Sequence, residues 1–366
     1  MSMEFIIAII FIMFILYMWK GYELTLHLIY KRRKAKHNVT SLLNNSQLPP
    51  ITVVIPTFNE AQMIKHKLDN LLSSDYPPHL MEIIVADSSS DETCQIASLY
   101  PVRIIKSNEK GKIRAINEAI KACKTNIIVL TDVDAILDKS AIKHLVKSFS
   151  EDIGAVGGFI KTVNCDGWLS NIRASYHDFD WKLRELEGLI DTSCSLDGNL
   201  MAFKKTIVEE IPIDSFADDA ELTFLIRRKG YRCVICRNSM AYQIAPKSLK
   251  HDVQRMRRII KLTILTSLRN IDMLFNKKYG IFSFLTFPFR RFFNLLVPFM
   301  LLYMLAYFSL CYPLLLAIGI VMIIVATIIF FKNIAYYWIL LLSLILAWFD
   351  IFIGNFKKGG VWDKVR

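Results

Sequence analysis

The sequence predicts an α/β protein with a mostly parallel, doubly wound sheet, flanked by apolar helices at both ends of the chain. Between residues 51 and 150, short β-branched runs alternate with helical patterns, as in sheets built with right-handed helical crossovers. These runs are continuously apolar, which is typical of strands buried on both faces. Of the 366 residues 53% are hydrophobic, and this fraction excludes a disordered chain.

The N-terminal region predicts a membrane anchor. Residues 5–19 are uncharged, and apolar residues extend the run, so we expect a transmembrane helix within residues 1–30. The start carries no basic region and no small-residue cleavage site follows, which favours a retained anchor over a signal peptide. Residues 31–36 are mostly basic, and the positive-inside rule then places the residues that follow in the cytoplasm.

The middle of the chain, residues 45–250, is expected to form one cytosolic domain. Its first four predicted strands are residues 51–55, 82–86, 102–105 and 127–130, each followed by a helical pattern. Asn59 is the predicted cap of the first helix, and Asp138 is the predicted cap of the helix after the fourth strand. Cys233 and Cys236 have no second cysteine pair, so we expect packing thiols and not a zinc site.

Acidic side chains follow two of the predicted strands. Asp87 comes after the second strand, and Asp132 and Asp134 come after the fourth. Doubly wound sheets bind ligands beyond the carboxyl ends of their strands. The two later aspartates lie on one side of an extended segment and offer the oxygen ligands that Mg²⁺ or Mn²⁺ prefers. A polar turn between strand and helix is the alternative explanation of this pair.

The sequence contains neither of the common glycine-rich phosphate loops. If a nucleotide binds, its phosphates therefore need another partner, and a divalent metal held by carboxylates would serve. Much of the basic excess behind the net charge of +12 flanks apolar segments, where anionic lipids attract it. No basic, aromatic-rich recognition module is present, so nucleic acid is not an expected partner.

A third acidic cluster precedes a helical pattern near residue 220. Asp218 and Glu221 have the spacing of a capping box, and Gly230 suits the residue after the helix end. Asp219 is the acid that no capping role explains. It is therefore a better candidate for chemistry than its neighbours.

Residues 251–291 predict amphipathic helices at the membrane interface. Two explanations of Gln254, Arg257 and the basic residues around them remain open: a helix lying on the membrane surface, and a cationic clamp for a diphosphate. Residues 292–356 predict two to three transmembrane helices, and residues 357–366 form a basic tail.

Taken in order, these motifs resemble those of the membrane-integrated family 2 glycosyltransferases with the GT-A fold. That group includes hyaluronan, cellulose, chitin and poly-N-acetylglucosamine synthases and ceramide glucosyltransferase. Its pattern is three separated aspartate motifs followed by Gln-x-x-Arg-Trp, with membrane segments on both sides. The resemblance covers residues 51–258. It implies a Rossmann-like GT-A sheet, a UDP-sugar donor and Mg²⁺ or Mn²⁺ as cofactor.

The resemblance also implies a role for each matching residue. Asp87 would contact the uracil and ribose, and Asp219 would be the catalytic base. The implied donor-binding residues are Thr57, Glu60, Asp87, Lys112, Asp132, Gln254 and Arg257. The implied metal ligands are Asp132 and Asp134, and the implied acceptor-side residues are Gly198, Asp218 and Arg258. Lys112 ends the segment Asn108-Glu-Lys-Gly-Lys that matches the family's donor-side loop.

Two acceptors are compatible with the resemblance. One is a growing polysaccharide or glycan, and the other is a lipid that receives a single sugar. Arg258 replaces the tryptophan of the family motif, which borders the acceptor, and this replacement favours the lipid. A non-catalytic membrane scaffold is the alternative of another class. The expected location is the plasma membrane, with the catalytic domain in the cytoplasm.

Overall fold

The computed structural model describes residues 3–36, 47–107, 111–163, 167–244, 248–329 and 331–356. The strands are β1 Ile51–Thr57, β2 Met81–Asp87, β3 Arg103–Lys106, β4 Ile127–Leu130, β5 Ile136–Leu137, β6 Ile153–Val163, β7 Met201–Lys204 and β8 Arg232–Ile244. The helices are α1 Met3–Leu16, α2 Tyr22–Lys36, α3 Ala61–Leu72, α4 Thr93–Ala97, α5 Lys112–Ala122, α6 Ala141–Lys147, α7 Trp168–Ile190, α8 Asp218–Arg228, α9 Leu249–Arg269, α10 Asn294–Cys311, α11 Pro313–Ile329 and α12 Phe331–Phe352. Short π-helical segments, Tyr17–Gly21, Phe282–Thr286 and Pro288–Phe293, adjoin these helices.

The strands form one mixed sheet with the order β3-β2-β1-β4-β7-β6-β8-β5. The first four strands pair in parallel, as predicted. The second half is mixed, because β7 runs antiparallel to both β4 and β6, and β5 runs antiparallel to β8. The expectation of a mostly parallel sheet therefore holds for the first half only. The strand–helix alternation that predicted it stops near residue 150.

The carboxyl ends of β1, β2 and β4 define one edge of the parallel half. Strand β4 has the predicted bounds, whereas β1 and β2 continue beyond their apolar runs to Thr57 and Asp87. These two residues are directly paired in the parallel register. Because β1 lies between β2 and β4, the acids that follow β2 and β4 lie on either side of β1.

Both predicted helix caps are wrong in detail. Helix α3 begins at Ala61 after Glu60, while Asn59 has a left-handed backbone with φ of 54°. The Asn59 side chain instead accepts a hydrogen bond from the Ser90 amide at 2.9 Å, so a tertiary contact replaces the cap. Asp138 binds the amide and hydroxyl of Ser140, which is the residue that precedes α6.

One hydrophobic core covers both faces of the sheet. The inner strands contribute fully buried residues such as Val53, Ile84 and Val129, and α3 contributes Ile64 and Leu68. Close packing of this kind leaves little freedom for the strand ends. The side chains at the carboxyl edge are therefore held on a rigid support.

The C-terminal helices are apolar and widely exposed. Within the described residues, Phe282–Cys311 is the one helical stretch long and apolar enough to cross a membrane, by length and composition. Shorter apolar helices cover Phe5–Leu16, Pro313–Val325 and Tyr336–Phe352. The predicted basic tail, residues 357–366, lies outside the described residues.

Candidate active site

A lysine and two aspartates from three separate segments meet beyond the end of β4. The ammonium nitrogen of Lys112 lies 2.9 Å from Oδ1 of Asp132 and 3.1 Å from Oδ2 of Asp218. Lys112 begins α5 and Asp218 begins α8. Burial alone would lower the pKa of Lys112, but the two carboxylates hold that pKa above its usual range. We call these three residues the Lys112 cluster, in which the raised pKa keeps the lysine protonated at neutral pH.

Gly198 allows the Lys112 cluster to close. Its carbonyl accepts a hydrogen bond from the Asp132 amide at 3.1 Å. A Cβ atom at residue 198 would lie 3.3 Å from the Lys112 nitrogen and 3.4 Å from Oδ2 of Asp132. The lack of a side chain here leaves room for the ion pair. The structure thus brings this predicted acceptor-side residue against two predicted donor-side residues.

A buried lysine that the sequence analysis did not identify supports the turn with Asp132 and Asp134. Lys67 is fully buried, and its ammonium donates to Oγ1 of Thr131 at 2.7 Å and to the carbonyl of Ala135 at 2.6 Å. Burial lowers the pKa of Lys67 to about 7, although the negative charges of Asp132 and Asp134 act to raise it. Its burial could have been predicted from its position on the apolar face of the helical pattern.

Asp219 is the second residue of α8 and lies beside the Lys112 cluster. Burial, followed by the negative charges of Asp218 and Asp197, raises the pKa of Asp219 to about 7. The positive charges of Lys112 and Arg291 act in the opposite direction. A carboxyl group with this pKa can accept a proton near neutral pH.

The predicted capping box is wrong. Ala217 precedes α8 and no side chain caps the helix. The Asp218 carboxylate binds Lys112 instead, and the Glu221 carboxylate accepts a hydrogen bond from Asn270 at 3.2 Å. Lys112 and Asn270, which lie far away in sequence, thus bind the two carboxylates that were predicted to form the cap. Gly230 does follow the helix end, with φ of 90°, as its position predicts.

The end of β2 holds a second, fully hydrogen-bonded carboxylate. Asp87 is buried and accepts from the Thr57 hydroxyl at 2.7 Å, the Ser89 amide at 3.0 Å and the Cys94 thiol at 2.8 Å. These bonds fix the loop that follows β2. Glu60 is also buried nearby, and its amide donates to the Thr93 hydroxyl at 2.8 Å.

The Gln-x-x-Arg motif lies on α9, which contacts the last helix. Arg257 donates through Nε to Asp350 at 2.8 Å, and the Lys261 ammonium lies 3.4 Å from the same carboxylate. Gln254 is exposed and Arg258 is half-buried. None of the described contacts joins Arg257 to the Lys112 cluster. Donor binding by Gln254 and Arg257 therefore stays a prediction, as does the acceptor contact of Arg258.

The carboxylates near β4 suit a divalent metal only in part. In the described ranges, no group of three or more histidine, cysteine or acidic side chains is arranged to hold a metal ion. Mg²⁺ is commonly bound by one or two carboxylates together with substrate phosphates and water. Asp132 is half-buried and already binds a cation, the Lys112 ammonium. Asp132 and Asp134 thus suit a metal ion whose remaining ligands come from a diphosphate and water.

Residues 49–261, more than half of the chain, match the family described as Glycosyltransferase like family 2. The chain belongs to glycosyltransferase family 2. This match confirms the family that the motifs and their resemblance predicted.

Among curated proteins, this family 2 chain is similar to two bacterial relatives. It is 24% identical over 220 residues to a poly-beta-1,6-N-acetyl-D-glucosamine synthase of Staphylococcus aureus, covering 57% of this chain and 53% of that protein. It is 25% identical over 224 residues to the probable glycosyltransferase YdaM of Bacillus subtilis, with the same coverage of both chains. The chain spans about half the length of these relatives.

Among solved structures, the fold is similar to a mannosyltransferase from Pyrobaculum calidifontis in complex with GDP-Man and Mn²⁺. The TM-score is 0.76 at 22% sequence identity, and the match covers 96% of this chain and 100% of that one. The match confirms a GT-A glycosyltransferase fold for this family 2 member.

Proposed function

We propose that this family 2 glycosyltransferase is a membrane-bound, inverting enzyme that transfers a sugar from a UDP-sugar to a growing polysaccharide or glycan. The observation that carries the proposal is the position of Asp219. This carboxyl group, whose pKa burial raises to about 7, lies beside the Lys112 cluster, whose ammonium and carboxylates would bind a diphosphate and its metal beyond the end of β4. A base and a diphosphate site are the two parts that sugar transfer requires.

The donor would lie across the carboxyl ends of β2, β1 and β4, where doubly wound sheets bind ligands. The loop fixed by Asp87 and Thr57 would hold the nucleoside, and Glu60 lies beside that loop. Asp132 and Asp134 would hold the diphosphate through Mg²⁺ or Mn²⁺, which when bound neutralises charge on the leaving group. Lys112 adds a fixed positive charge at the same position.

Asp219 would act on the acceptor. It takes the proton of an acceptor hydroxyl while that oxygen forms a bond to the anomeric carbon. The bond from this carbon to the diphosphate breaks, and the nucleoside diphosphate leaves. Attack from the face opposite the leaving group inverts the anomeric configuration. A positioned base of this kind contributes roughly 10²–10⁴-fold to the rate.

The apolar helices support a membrane location. Large hydrophobic side chains of α10 and α11 are exposed, among them Leu302 at 65%, Leu310 at 84% and Leu314 at 74%. Exposed apolar surface of this extent marks contact with lipid or another protein. With the basic residues 31–36 on the cytosolic side, the domain would face the cytoplasm at the plasma membrane, with helices on either side of it.

A second candidate is transfer of a single sugar to a lipid. Arg258 stands where the family motif has the tryptophan that borders a polymer acceptor, and it lies half-buried on α9. A cation at this position suits a lipid head group better than a stacked sugar ring. Product size separates the two candidates.

The test uses purified full-length protein in detergent with Mn²⁺ and labelled UDP-glucose, UDP-N-acetylglucosamine, UDP-glucuronate and GDP-mannose. We expect one UDP-sugar to be consumed, with a polymer or an organic-soluble product. Asp69→Asn, on the exposed face of α3, is the matched control for variants of the cluster and should retain full activity. The absence of transfer from every donor would contradict the proposal.

A further inference from the structure

Arg291 connects the membrane-facing helices to the candidate active site. It is buried within the π-helical segment Pro288–Phe293, and its Nε atom donates to the carbonyl of Cys194 at 3.1 Å. Its guanidinium lies over the ring of Phe224, with 5.7 Å to the ring centroid. Cys194 precedes the loop with Gly198, and Phe224 belongs to the helix that begins with Asp218 and Asp219. Arg291 thus lies between two elements of the site.

Among the described residues, the arginines around Arg291 are paired with carboxylates, whereas Arg291 is not. Arg290 lies 2.8 Å from the Glu187 carboxylate and also binds Asp180, and Arg184 binds Asp180 at 2.8 Å. In the part of the chain that the structure describes, Arg291 has no carboxylate within 4.0 Å, and its only hydrogen bond is the one to Cys194. Buried charges are normally paired, because an isolated one is costly to desolvate. An anion from outside the chain would satisfy this arginine.

Two cations from different elements act on the charge of Asp219. Lys112 comes from α5 and is bound to Asp132 and Asp218, where the donor diphosphate is proposed to bind. Arg291 comes from the segment before α10, and its charge lowers the pKa of Asp219 from that side. If the diphosphate binds on the Lys112 side, the acceptor would reach Asp219 from the side of Arg291, whose guanidinium packs on Phe224 of the same helix.

We propose that Arg291 binds the phosphate of a lipid acceptor whose head group carries both a phosphate diester and a free hydroxyl. The inference rests on the second candidate of the proposed function, transfer of a sugar to a lipid, and deepens it. A base at Asp219 requires a hydroxyl nucleophile. A buried guanidinium with no described carboxylate within 4.0 Å fits phosphate, which its planar fork can bind bidentately. The lipid tails would lie along Phe282–Cys311, the apolar stretch to which Arg291 belongs.

In this reaction the head-group hydroxyl gives its proton to Asp219 and its oxygen forms the bond to the anomeric carbon. The bond between that carbon and the donor diphosphate breaks, and the nucleoside diphosphate leaves. The lipid phosphate stays bound to Arg291 and is not consumed. Arg291 therefore sets acceptor affinity, and its loss should leave donor affinity unchanged.

The test measures binding of dihexanoyl phosphatidylglycerol to full-length protein without donor, with hexanoyl glycerol as the neutral lipid that keeps the hydroxyls. We expect Arg291→Gln to weaken phosphatidylglycerol binding by at least about tenfold, the loss of one charge-assisted contact. Binding of UDP should not change, which also shows that the variant is folded. Arg291→Lys keeps the positive charge but not the planar guanidinium, so its phosphatidylglycerol affinity should fall less than that of Arg291→Gln. Arg103→Gln, on the outer strand β3, is the matched control and should bind as the wild type does.

Equal binding of the two lipids, or unchanged phosphatidylglycerol binding in Arg291→Gln, would overturn the inference. A loss of UDP affinity in place of lipid affinity would also overturn it, because Arg291 would then serve the donor. If lipid binding depends on Arg291 but no nucleotide sugar is ever consumed, the proposed function fails and the lipid site stands. If Arg291→Gln transfers sugar as the wild type does, the lipid site is wrong and the proposed function stands.

Discussion

The ammonium nitrogen of Lys112 lies 2.9 Å from a carboxylate oxygen of Asp132, so the first acid of the Asp-x-Asp motif binds a cation of its own chain. A divalent metal at this motif would have to displace that ammonium or share the carboxylate with it. Metal and lysine should therefore compete in the absence of donor. When the diphosphate arrives, its oxygens can bind both cations.

Replacement of Lys112 by methionine tests this competition. We expect Lys112→Met to bind Mn²⁺ roughly tenfold more tightly than the wild type in the absence of donor, because the competing charge is gone. The free energy of unfolding without metal should fall by about 1–3 kcal/mol, because Asp132 and Asp218 lose their partner. Titration calorimetry and thermal unfolding measure both. The exposed Lys121→Met serves as control, and an unchanged Mn²⁺ affinity in Lys112→Met would rule out competition.

The pH dependence of transfer should follow Asp219. Burial and the negative charges of Asp218 and Asp197 raise its pKa to about 7, although the positive charges of Lys112 and Arg291 act to lower it. The ionised form is the active base, so kcat/KM should rise about tenfold per pH unit below 7 and level off above it. Asp197→Asn removes a negative charge and should move the inflection to lower pH. An inflection near the ordinary value of an aspartate would show that another group controls the rate.

Lys67 is expected to hold the Asp132–Asp134 turn in place. Lys67→Met leaves the Thr131 hydroxyl and the Ala135 carbonyl without their buried donor, at a cost of about 1–3 kcal/mol in the free energy of unfolding. Mn²⁺ affinity should fall as well, because the turn loosens. Chemical denaturation and Mn²⁺ titration measure the two effects. Lys65→Met changes an exposed lysine of the same helix and should alter neither.

The pair Arg257–Asp350 allows structural and donor-binding roles to be separated. Both Arg257→Gln and Asp350→Asn break the contact between α9 and α12, and a double-mutant cycle should give a coupling of about 1 kcal/mol. If Arg257 also binds the donor, only Arg257→Gln will raise the KM for the UDP-sugar. Equal KM values in the two single variants would restrict Arg257 to the helix contact.

Local patterns predicted the parallel half of the sheet because buried strands have a strong signal, and β4 has the predicted bounds. They also placed Asp87, Asp132 and Asp219 at element ends. They did not predict the partners of Asp218 or Arg257, because Lys112 and Asp350 are distant in sequence. The capping box at Asp218 failed for the same reason: local spacing cannot show which long-range charge competes with a cap.

We propose above all that Asp219 removes the proton from the acceptor. The most direct measurement compares Asp219→Asn with the wild type in donor binding and in single-turnover transfer with the same UDP-sugar. We expect Asp219→Asn to keep its UDP affinity and to transfer sugar roughly 10²–10⁴-fold more slowly. Transfer at the wild-type rate in Asp219→Asn would show that another group takes the proton.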